Sequence, residues 1–311
     1  MTETTREIFE KYEVRKTKEQ KSTFRDYLIS YARSQGYDVH TEAVNKKAAN
    51  VIVGTPKTAK VIYTAHYDTC ATTPFPNLIT PKSIPLYLLY QLFITVVMLS
   101  LPIFIMLWGS SFVYAKTGSE TLRVITLVGG YALLWVIIFL MMKGPANKHT
   151  ANDNTSGVTL LLDIMRDMPS ELRCDVAFIF FDLEEMGTVG SKMYKKRHPD
   201  VAKSKPVINF DCVSDGKNML FVAKKKASQL TDKITEAFRA NEAYTVEVAS
   251  KWVIYPSDQR NFDLGVGVSA LNKTKHGLLY MNKIHTKRDT VYDEENIEFL
   301  KNGAIELAKI I

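Results

Sequence analysis

Two long segments without charge interrupt this sequence and constrain its fold more than any other feature. Residues 83–115 form an uncharged run of 33 positions, and residues 124–142 form a second run of 19. A helix needs about 20 apolar residues to cross the ~30 Å hydrocarbon core of a bilayer, so each run is long enough. The short polar connector between them, residues 116–123, predicts a two-helix hairpin.

The ends of the two runs carry residues typical of a membrane interface. Lys82 and Lys143 flank the hairpin, and Tyr and Trp side chains lie toward the ends of the first run. Pro102 should kink the first helix or end its regular part. The alternative is a buried helical hairpin, such as a dimerisation arm, in a soluble protein. Core helices seldom run this long without one charge, so we expect transmembrane helices at about 84–112 and 124–142.

Composition narrows the class of protein further. Forty basic residues against 33 acidic ones give a net charge of +7, which suits a membrane-facing surface. We expect no nucleic-acid partner, because neither an RNA-binding signature nor a Cys/His finger accompanies the charge. Cys70, Cys174 and Cys212 are too few for a disulfide framework, which fits a reducing compartment. Cys70 and Cys212 adjoin the motifs described below, and we interpret both as packing residues, with adventitious metal binding as the alternative.

Outside the hairpin, strand-length apolar segments alternate with amphipathic ones. Residues 174–182 and 206–211 are nearly continuous apolar runs, as expected of strands covered on both faces. Strands alternating with helices predict a three-layer α/β sandwich: a mixed, mainly parallel sheet with helices on both faces. We expect residues 1–70 and 150–311 to form one discontinuous domain, with residues 71–149 as the inserted hairpin.

Five short motifs place metal-type ligands at or near the ends of these predicted strands. In open α/β sheets ligands bind at the carboxyl ends of the strands, so the motifs predict one shared site. Their imidazoles and carboxylates are ligands that zinc accepts, with one glutamate left over as a base. The motifs are AHYDT with His66 and Asp68, NDNTSG with Asp153, FDLEEMG with Glu184 and Glu185, NFD ending at Asp211, and IHTKRDT with His285.

Two of these motifs indicate how the ligands are held. His66 and Asp68 are two positions apart on a predicted strand, so their side chains share a face. We expect Asp68 to accept a proton from one imidazole nitrogen while the other nitrogen binds a metal. Glu184 and Glu185 follow a strongly apolar strand, where two unpaired carboxylates would be costly without cations.

The motifs resemble the di-zinc aminopeptidase family, which includes bacterial leucyl aminopeptidases, aminopeptidase Y, glutamate carboxypeptidase and the glutaminyl cyclases. The resemblance covers roughly residues 20–70 and 150–311 and implies two Zn²⁺ per chain. One zinc would be held by Asp153, Glu185 and His285, and the other by His66, Asp153 and Asp211. In the family the peptide bond after the bridging aspartate is often cis, and Glu184 would be the general base that activates water. The chain departs from the family in separating His66 from Asp153 by 87 positions.

The resemblance implies that the chain hydrolyses N-terminal residues of peptides. A glutaminyl-cyclase-like acyltransferase with one zinc, a carboxypeptidase, and a non-enzymatic relative stay open as alternatives. The segment YPSDQRNF resembles a pocket element of the family, with Gln259 where a histidine is common. Tyr255 could donate to the oxyanion, and Arg260 could clamp a substrate carboxylate or simply lie in an exposed loop.

The expected partners are a peptide substrate and the lipid bilayer, and a homo-oligomer stays open. Two spans return the chain to the side it left, as they must if His66 and Asp153 are to meet in one site. We expect a multi-pass membrane protein whose catalytic domain lies on the cytoplasmic side. No secretory signal is expected in the charged N-terminal segment, and Lys82, Lys143 and Lys148 lie at the domain end of the hairpin.

Overall fold

The computed structural model describes residues 1–311, apart from the side chain of Met142. In the described chain nine strands form one mixed sheet. The strands are β1 (Val39–Asn45), β2 (Ala48–Val53), β3 (Val61–His66), β4 (Val176–Phe181), β5 (Pro206–Phe210), β6 (Asn218–Ala223), β7 (Thr245–Ala249), β8 (Leu264–Lys273) and β9 (Leu279–Tyr280). The α-helices are α1 (Glu3–Lys11), α2 (Lys18–Ser34), α3 (Ile84–Phe104), α4 (Ser110–Thr117), α5 (Glu120–Lys143), α6 (Ser156–Asp167), α7 (Val189–Arg197), α8 (Pro199–Ser204), α9 (Thr231–Ala237) and α10 (Glu294–Ile310).

The sheet is parallel through its centre. Its strand order is β1-β2-β4-β3-β5-β8-β6-β7, and β9 pairs with β8. The neighbours β4, β3, β5 and β8 run parallel, whereas β1 on β2, β2 on β4 and β6 on β8 are antiparallel. The parallel centre brings the carboxyl ends of β4, β3 and β5 to the same edge of the sheet, where the predicted ligands follow.

Alternating side chains of the central strands build two separate cores. Tyr63 of β3 and Phe178 of β4 face one side, where they pack in a cluster with residues of α2, α6 and α10. Ile62 and Ile179 face the other side, in a cluster with residues of α7 and α8. Because both faces of the strands are covered, the predicted three-layer α/β sandwich is confirmed.

The sequence analysis did not predict one of the central strands. Strand β8 lies between β5 and β6, yet Gly265 and Gly267 weaken its strand pattern. A Cβ at Gly265 would lie 2.1 Å from the backbone oxygen of Gln259, and one at Gly267 would lie 2.6 Å from its Cδ. Gln259 packs so closely against β8 that both positions must be glycine. The two glycines weaken the strand pattern of β8 in the sequence.

The hairpin forms, with longer helices than predicted. The first helix continues from α3 through a π-type turn, Ile105–Gly109, into α4, and the second begins at Glu120 rather than 124. Helices Ile84–Thr117 and Glu120–Met141 are both long and apolar enough to cross a membrane, judged by length and composition alone. A Cβ at Gly130 would lie 2.5 Å from Met106 Cγ, so glycine permits the two helices to pack closely here.

The start of helix α2 is stabilised by a capping box and by an ion pair with the end of β4. Thr17 and Gln20 form a capping box, in which each side chain accepts a hydrogen bond from the other's backbone amide. In the first turn, Lys21 Nζ lies 2.6 Å from Oδ1 of Asp182, the residue after β4, and both side chains are buried. Asp182 Oδ2 also accepts a hydrogen bond from the Tyr67 hydroxyl at 2.7 Å.

Replacing Lys21 with methionine should destabilise the protein by up to about 3–5 kcal/mol, because it removes the close partner of the buried Asp182 carboxylate and leaves Arg25, at 3.7 Å, as its cation. The matched control is Lys11→Met, because its exposed i,i+4 pair with Glu7 is screened by water and should contribute little to stability. Thermal unfolding of the purified protein in detergent measures both variants. Equal losses of Tm in the two variants would contradict a structural role for the buried pair.

Candidate active site

Three neighbouring parallel strands deliver most of the predicted site. His66 is the last residue of β3, Glu184 and Glu185 follow β4 by three and four positions, and Asp211 directly follows β5. Asp153 lies in the loop before α6, and the sixth predicted residue, His285, lies in the loop between β9 and α10. The fold therefore brings together side chains that are separated by up to 219 positions in the sequence.

Asp153 is the centre of the cluster. Its Oδ1 lies 3.3 Å from His66 Nε2, and its Oδ2 lies 3.0 Å from His285 Nε2. His66 Nε2 is also 3.4 Å from Asp211 Oδ1, and His285 Nε2 is 3.3 Å from Glu185 Oε2. The five predicted ligands thus form two groups, each with ligand atoms within 4.8 Å of one another, and Asp153 belongs to both.

Two buried thiols adjoin these groups. Cys70 Sγ lies within 4.8 Å of the ligand atoms of Asp153, Glu185 and His285. Cys212 Sγ lies 3.2 Å from Asp211 Oδ1 and donates a hydrogen bond to it. Both side chains therefore border the ligand groups, while Cys174 is exposed on the surface.

Several acidic side chains are buried in the site, and burial changes their pKa values. Burial raises the pKa of Glu184 well above its usual range and that of Glu185 to about 8. Burial also raises the pKa values of Asp258 and Asp289 to about 7. It lowers the pKa of His285, but nearby carboxylates outweigh it and raise that value to about 9. Burial therefore favours the neutral form of these carboxyl groups, and a bound cation would favour their charged form.

The loop that carries Asp153 is held by side chains from distant segments. Asp289 accepts hydrogen bonds from the backbone amides of Asn152 at 2.8 Å and Asp153 at 3.0 Å. Asn154 donates to the Phe210 carbonyl at 3.0 Å at the end of β5. The peptide bond between Asp153 and Asn154 is cis, in agreement with the family resemblance. Asp153 is therefore positioned by contacts on both sides of its own residue.

Asp68 lies beside His66, but its carboxylate has a different main contact from the one expected. His66 Nδ1 is 3.1 Å from the backbone oxygen of Asp68 and 3.6 Å from Oδ1, beyond ordinary hydrogen-bond distance. The carboxylate instead accepts hydrogen bonds from the backbone amides of Glu184 at 3.0 Å and Glu185 at 3.3 Å. Asp68 thus ties the end of β3 to the glutamate pair after β4.

The structure places Tyr255 beside a predicted ligand and Arg260 on the surface. The Tyr255 hydroxyl donates a hydrogen bond to the backbone carbonyl of Asp211 at 2.8 Å. Arg260 is exposed and lines a cavity of about 360 Å³ whose described lining residues include Gln259 but none of the five predicted ligands. Gln259 points inward and donates to the Tyr255 carbonyl at 2.7 Å.

Sequence analysis missed several buried polar residues around the site. Arg15 donates to the Tyr67 carbonyl at 2.6 Å and to Thr155 Oγ1 at 3.1 Å, which connects the N-terminal segment to the loops on both sides of the ligands. Asp258 accepts a hydrogen bond from Ser191 at 2.5 Å. Nothing local marks Arg15, whereas Asp182 could have been noticed because it lies two positions before the glutamate pair.

Two ligand groups that share one carboxylate, at the carboxyl ends of parallel strands, are typical of two-metal hydrolases. Family comparison matches residues 139–308 to Peptidase family M28. The chain belongs to this family, which confirms the resemblance and makes the protein a zinc-dependent peptidase. Comparison with curated proteins finds no significant match.

Solved structures share the fold at low sequence identity. The LapA aminopeptidase of Legionella pneumophila is 13% identical with a TM-score of 0.59, and the alignment covers 98% of this chain and 67% of LapA. A Zn-dependent exopeptidase from Parabacteroides distasonis is 17% identical with a TM-score of 0.57, covering 95% and 91%. A glutaminyl cyclase from Bacteroides thetaiotaomicron is 15% identical with a TM-score of 0.57, covering 97% and 94%. These likenesses establish the fold.

The residues of this chain fit the zinc that the family implies. Glu185 Oε1 is buried without a hydrogen-bond partner in the described structure, as a carboxylate oxygen would be if it were left for a metal. The donor set of imidazole nitrogens and carboxylate oxygens also matches the preferences of zinc.

Proposed function

We propose that this protein is a membrane-anchored aminopeptidase that holds two zinc ions. Asp153, Glu185 and His285 would bind one ion, and His66, Asp153 and Asp211 the other. The observation that carries the proposal is Asp153 itself, whose two carboxylate oxygens face two different histidines. Zinc bound there would supply Lewis-acid polarisation of a carbonyl and a water that is activated at neutral pH.

Glu184 is the proposed general base and acid. It belongs to neither ligand group, although it directly precedes the ligand Glu185. Its backbone amide is held by Asp68, so the glutamate pair is oriented from the adjacent strand. The Glu184 carboxylate would accept a proton from the attacking water and pass it to the leaving amine.

Zinc held by these ligands would favour a free amino terminus as the group that is recognised. An uncharged substrate amine can bind a metal ion directly. Asp68 and Glu185 also line a cleft of about 690 Å³ whose wall includes Lys47 and Lys143. This cleft gives a peptide a route to the ligand group that contains Glu185.

Two alternative activities have less support from the residues. A carboxypeptidase would use Arg260 to bind the substrate carboxylate, but Arg260 lines a separate cavity from the cleft beside Glu185. A glutaminyl-cyclase-like acyltransferase shares the fold, and the family resemblance implies a single zinc for it. Metal content separates the cyclase from the peptidase, because Asp153 is proposed to bind two ions at once.

We also propose that residues 1–70 and 150–311 form the catalytic domain and that the inserted hairpin spans the bilayer. Apart from Met1 and Trp252, all the exposed large hydrophobic side chains of the described chain lie between residues 88 and 141. An apolar surface of this extent is costly in water and stable in lipid. Lys82, Lys143 and Lys148 at the domain end favour a cytoplasmic catalytic domain, against Lys116 and Arg123 in the connector.

The variant Glu184→Gln tests the catalytic assignment. We expect kcat to fall by about 10²–10⁴-fold, because a general base is lost while the ligands remain. Zinc content, measured by plasma mass spectrometry, should stay near the value of the unaltered protein. The matched control, Glu171→Gln, changes an exposed glutamate away from the ligand groups and should leave kcat unchanged. Loss of zinc from Glu184→Gln would show that Glu184 and Glu185 have exchanged roles.

Substitution of the shared ligand tests the two-metal arrangement. Asp153→Ala should abolish binding of both ions, whereas Asp211→Ala should remove only one, because Asp211 belongs to a single group. Metal content after dialysis against dilute chelator distinguishes the two results. A full complement in Asp153→Ala would refute the bridging assignment, and one zinc in the unaltered protein would favour the cyclase alternative.

The natural cysteines permit a sharp test of the membrane topology. Cys174 is exposed, whereas Cys70 and Cys212 are buried. In intact cells an impermeant maleimide should fail to label Cys174, but it should label a Thr117→Cys, Cys174→Ser variant in the exposed connector. Cys174 should become reactive once the cells are permeabilised. Labelling of Cys174 from outside would reverse the topology, and release of the protein by alkaline carbonate would refute insertion.

A further inference from the structure

A large apolar cavity lies where the hairpin meets the sheet domain. Its volume is about 1050 Å³, at the upper end of the roughly 300–1,000 Å³ typical of ligand pockets. Helices α3 and α5 provide one wall through Met98, Ile137, Leu140 and Met141. Loops of the sheet domain provide the other wall, so the cavity exists only because the hairpin packs against this part of the domain.

The wall opposite the helices is the backbone that holds the candidate active site. Thr73, which lines the cavity, donates a backbone hydrogen bond to the His285 carbonyl at 2.9 Å. Asn147, another lining residue, donates to the Thr286 carbonyl at 3.1 Å and to the Cys70 carbonyl at 3.1 Å. The cavity therefore borders the loop that carries His285, whose side chain is itself 24% exposed.

The distribution of charge around the cavity indicates what can occupy it. Its helix wall is apolar, while the exposed Lys148 and Lys287 lie among the lining residues of the loop side. The neighbouring ligand groups are rich in carboxylates. A peptide with its amino terminus at the ligand groups, apolar side chains against α3 and α5, and carbonyl or carboxylate oxygens near the lysines matches all three regions.

We propose that this cavity is the subsite for apolar side chains of the peptide substrate. The substrates are then short amphipathic peptides that collect at the bilayer surface and reach the site alongside the hairpin. This inference rests on the proposed peptidase function and adds the class of substrate to it. The selectivity comes from burial of apolar side chains against α3 and α5, which removes them from water.

Two adjacent residues of α5 give a matched pair of variants. Leu140 lines the cavity, whereas Phe139 does not, and their exposed fractions are similar at 48% and 57%. The full chain in phosphatidylcholine nanodiscs is assayed on two peptides with the same first residue, followed by Leu-Phe-Leu or by Ser-Gln-Ser. The unaltered protein should have a kcat/KM for the apolar peptide higher by on the order of tenfold or more.

Leu140→Gln should remove most of this preference by raising KM for the apolar peptide, with little change for the polar one. Phe139→Gln, which meets the bilayer at nearly the same depth, should retain the preference. Equal behaviour of the two variants would overturn the proposal. An equal loss for both peptides in Leu140→Gln would also overturn it, because that result is expected if a lipid occupies the cavity.

A binding experiment that needs no turnover separates the subsite from the activity. The inactive Glu184→Gln protein is irradiated with the apolar peptide carrying a benzophenone side chain, and crosslinked residues are mapped by mass spectrometry. Crosslinks to Met98 or to residues 72–75 support the subsite, whereas crosslinks confined to Val136 and Phe139 overturn it. If the unaltered protein cleaves neither peptide, the proposed peptidase function is refuted. The crosslinks still show whether the peptide binds in the cavity.

Discussion

The structure depends on one shared carboxylate more than on any other group. The two oxygens of Asp153 face His66 and His285, which lie 219 positions apart in the sequence. Three contacts hold this geometry. Strand β3 positions His66, Asp289 binds the backbone amides of the loop that carries Asp153, and Asn154 anchors that loop to the end of β5. A small displacement of Asp153 would therefore separate both ligand groups at once.

The hydrogen bonds around the ligands form links between strands. Asp68 connects the end of β3 to the glutamate pair after β4. Asp182 connects the end of β4 to α2 through Lys21. Because these links use charged groups in buried positions, they impose a definite geometry that apolar packing alone would not. The same burial disfavours charged carboxylates in the absence of a cation, so cation binding would stabilise their charged forms.

The position of the hairpin explains how a long insertion coexists with an ordered site. The two ends of the insertion meet at an antiparallel bridge between Ala71 and Ala146, and Thr72 donates a hydrogen bond to the Pro145 carbonyl at 2.9 Å. The chain therefore leaves and re-enters the domain at one point, beside the ligand groups. An insertion closed in this way leaves the fold intact and places an apolar surface next to the proposed catalytic centre.

The sequence alone determined the features that arise from local pattern. Uncharged length predicted the hairpin, apolar runs predicted strands β3, β4 and β5, and ligand types at strand ends predicted which residues would meet. Helix bounds were less accurate, because the polar residues of the connector continue the helical geometry to Thr117 and resume it at Glu120.

Tertiary structure decided whatever depends on contacts between distant segments. The sequence did not predict strand β8, because two of its residues are glycines, which have low strand propensity. Both are needed because Gln259 packs directly against the strand. The roles of Arg15 and Lys21 became visible only once the N-terminal segment was placed against the site. The Asp68 carboxylate likewise binds backbone amides across the sheet, and Cys70 joins a ligand group through the course of its loop. Residue spacing records burial and periodicity, whereas the partner of a buried polar group is chosen by the three-dimensional path of the chain.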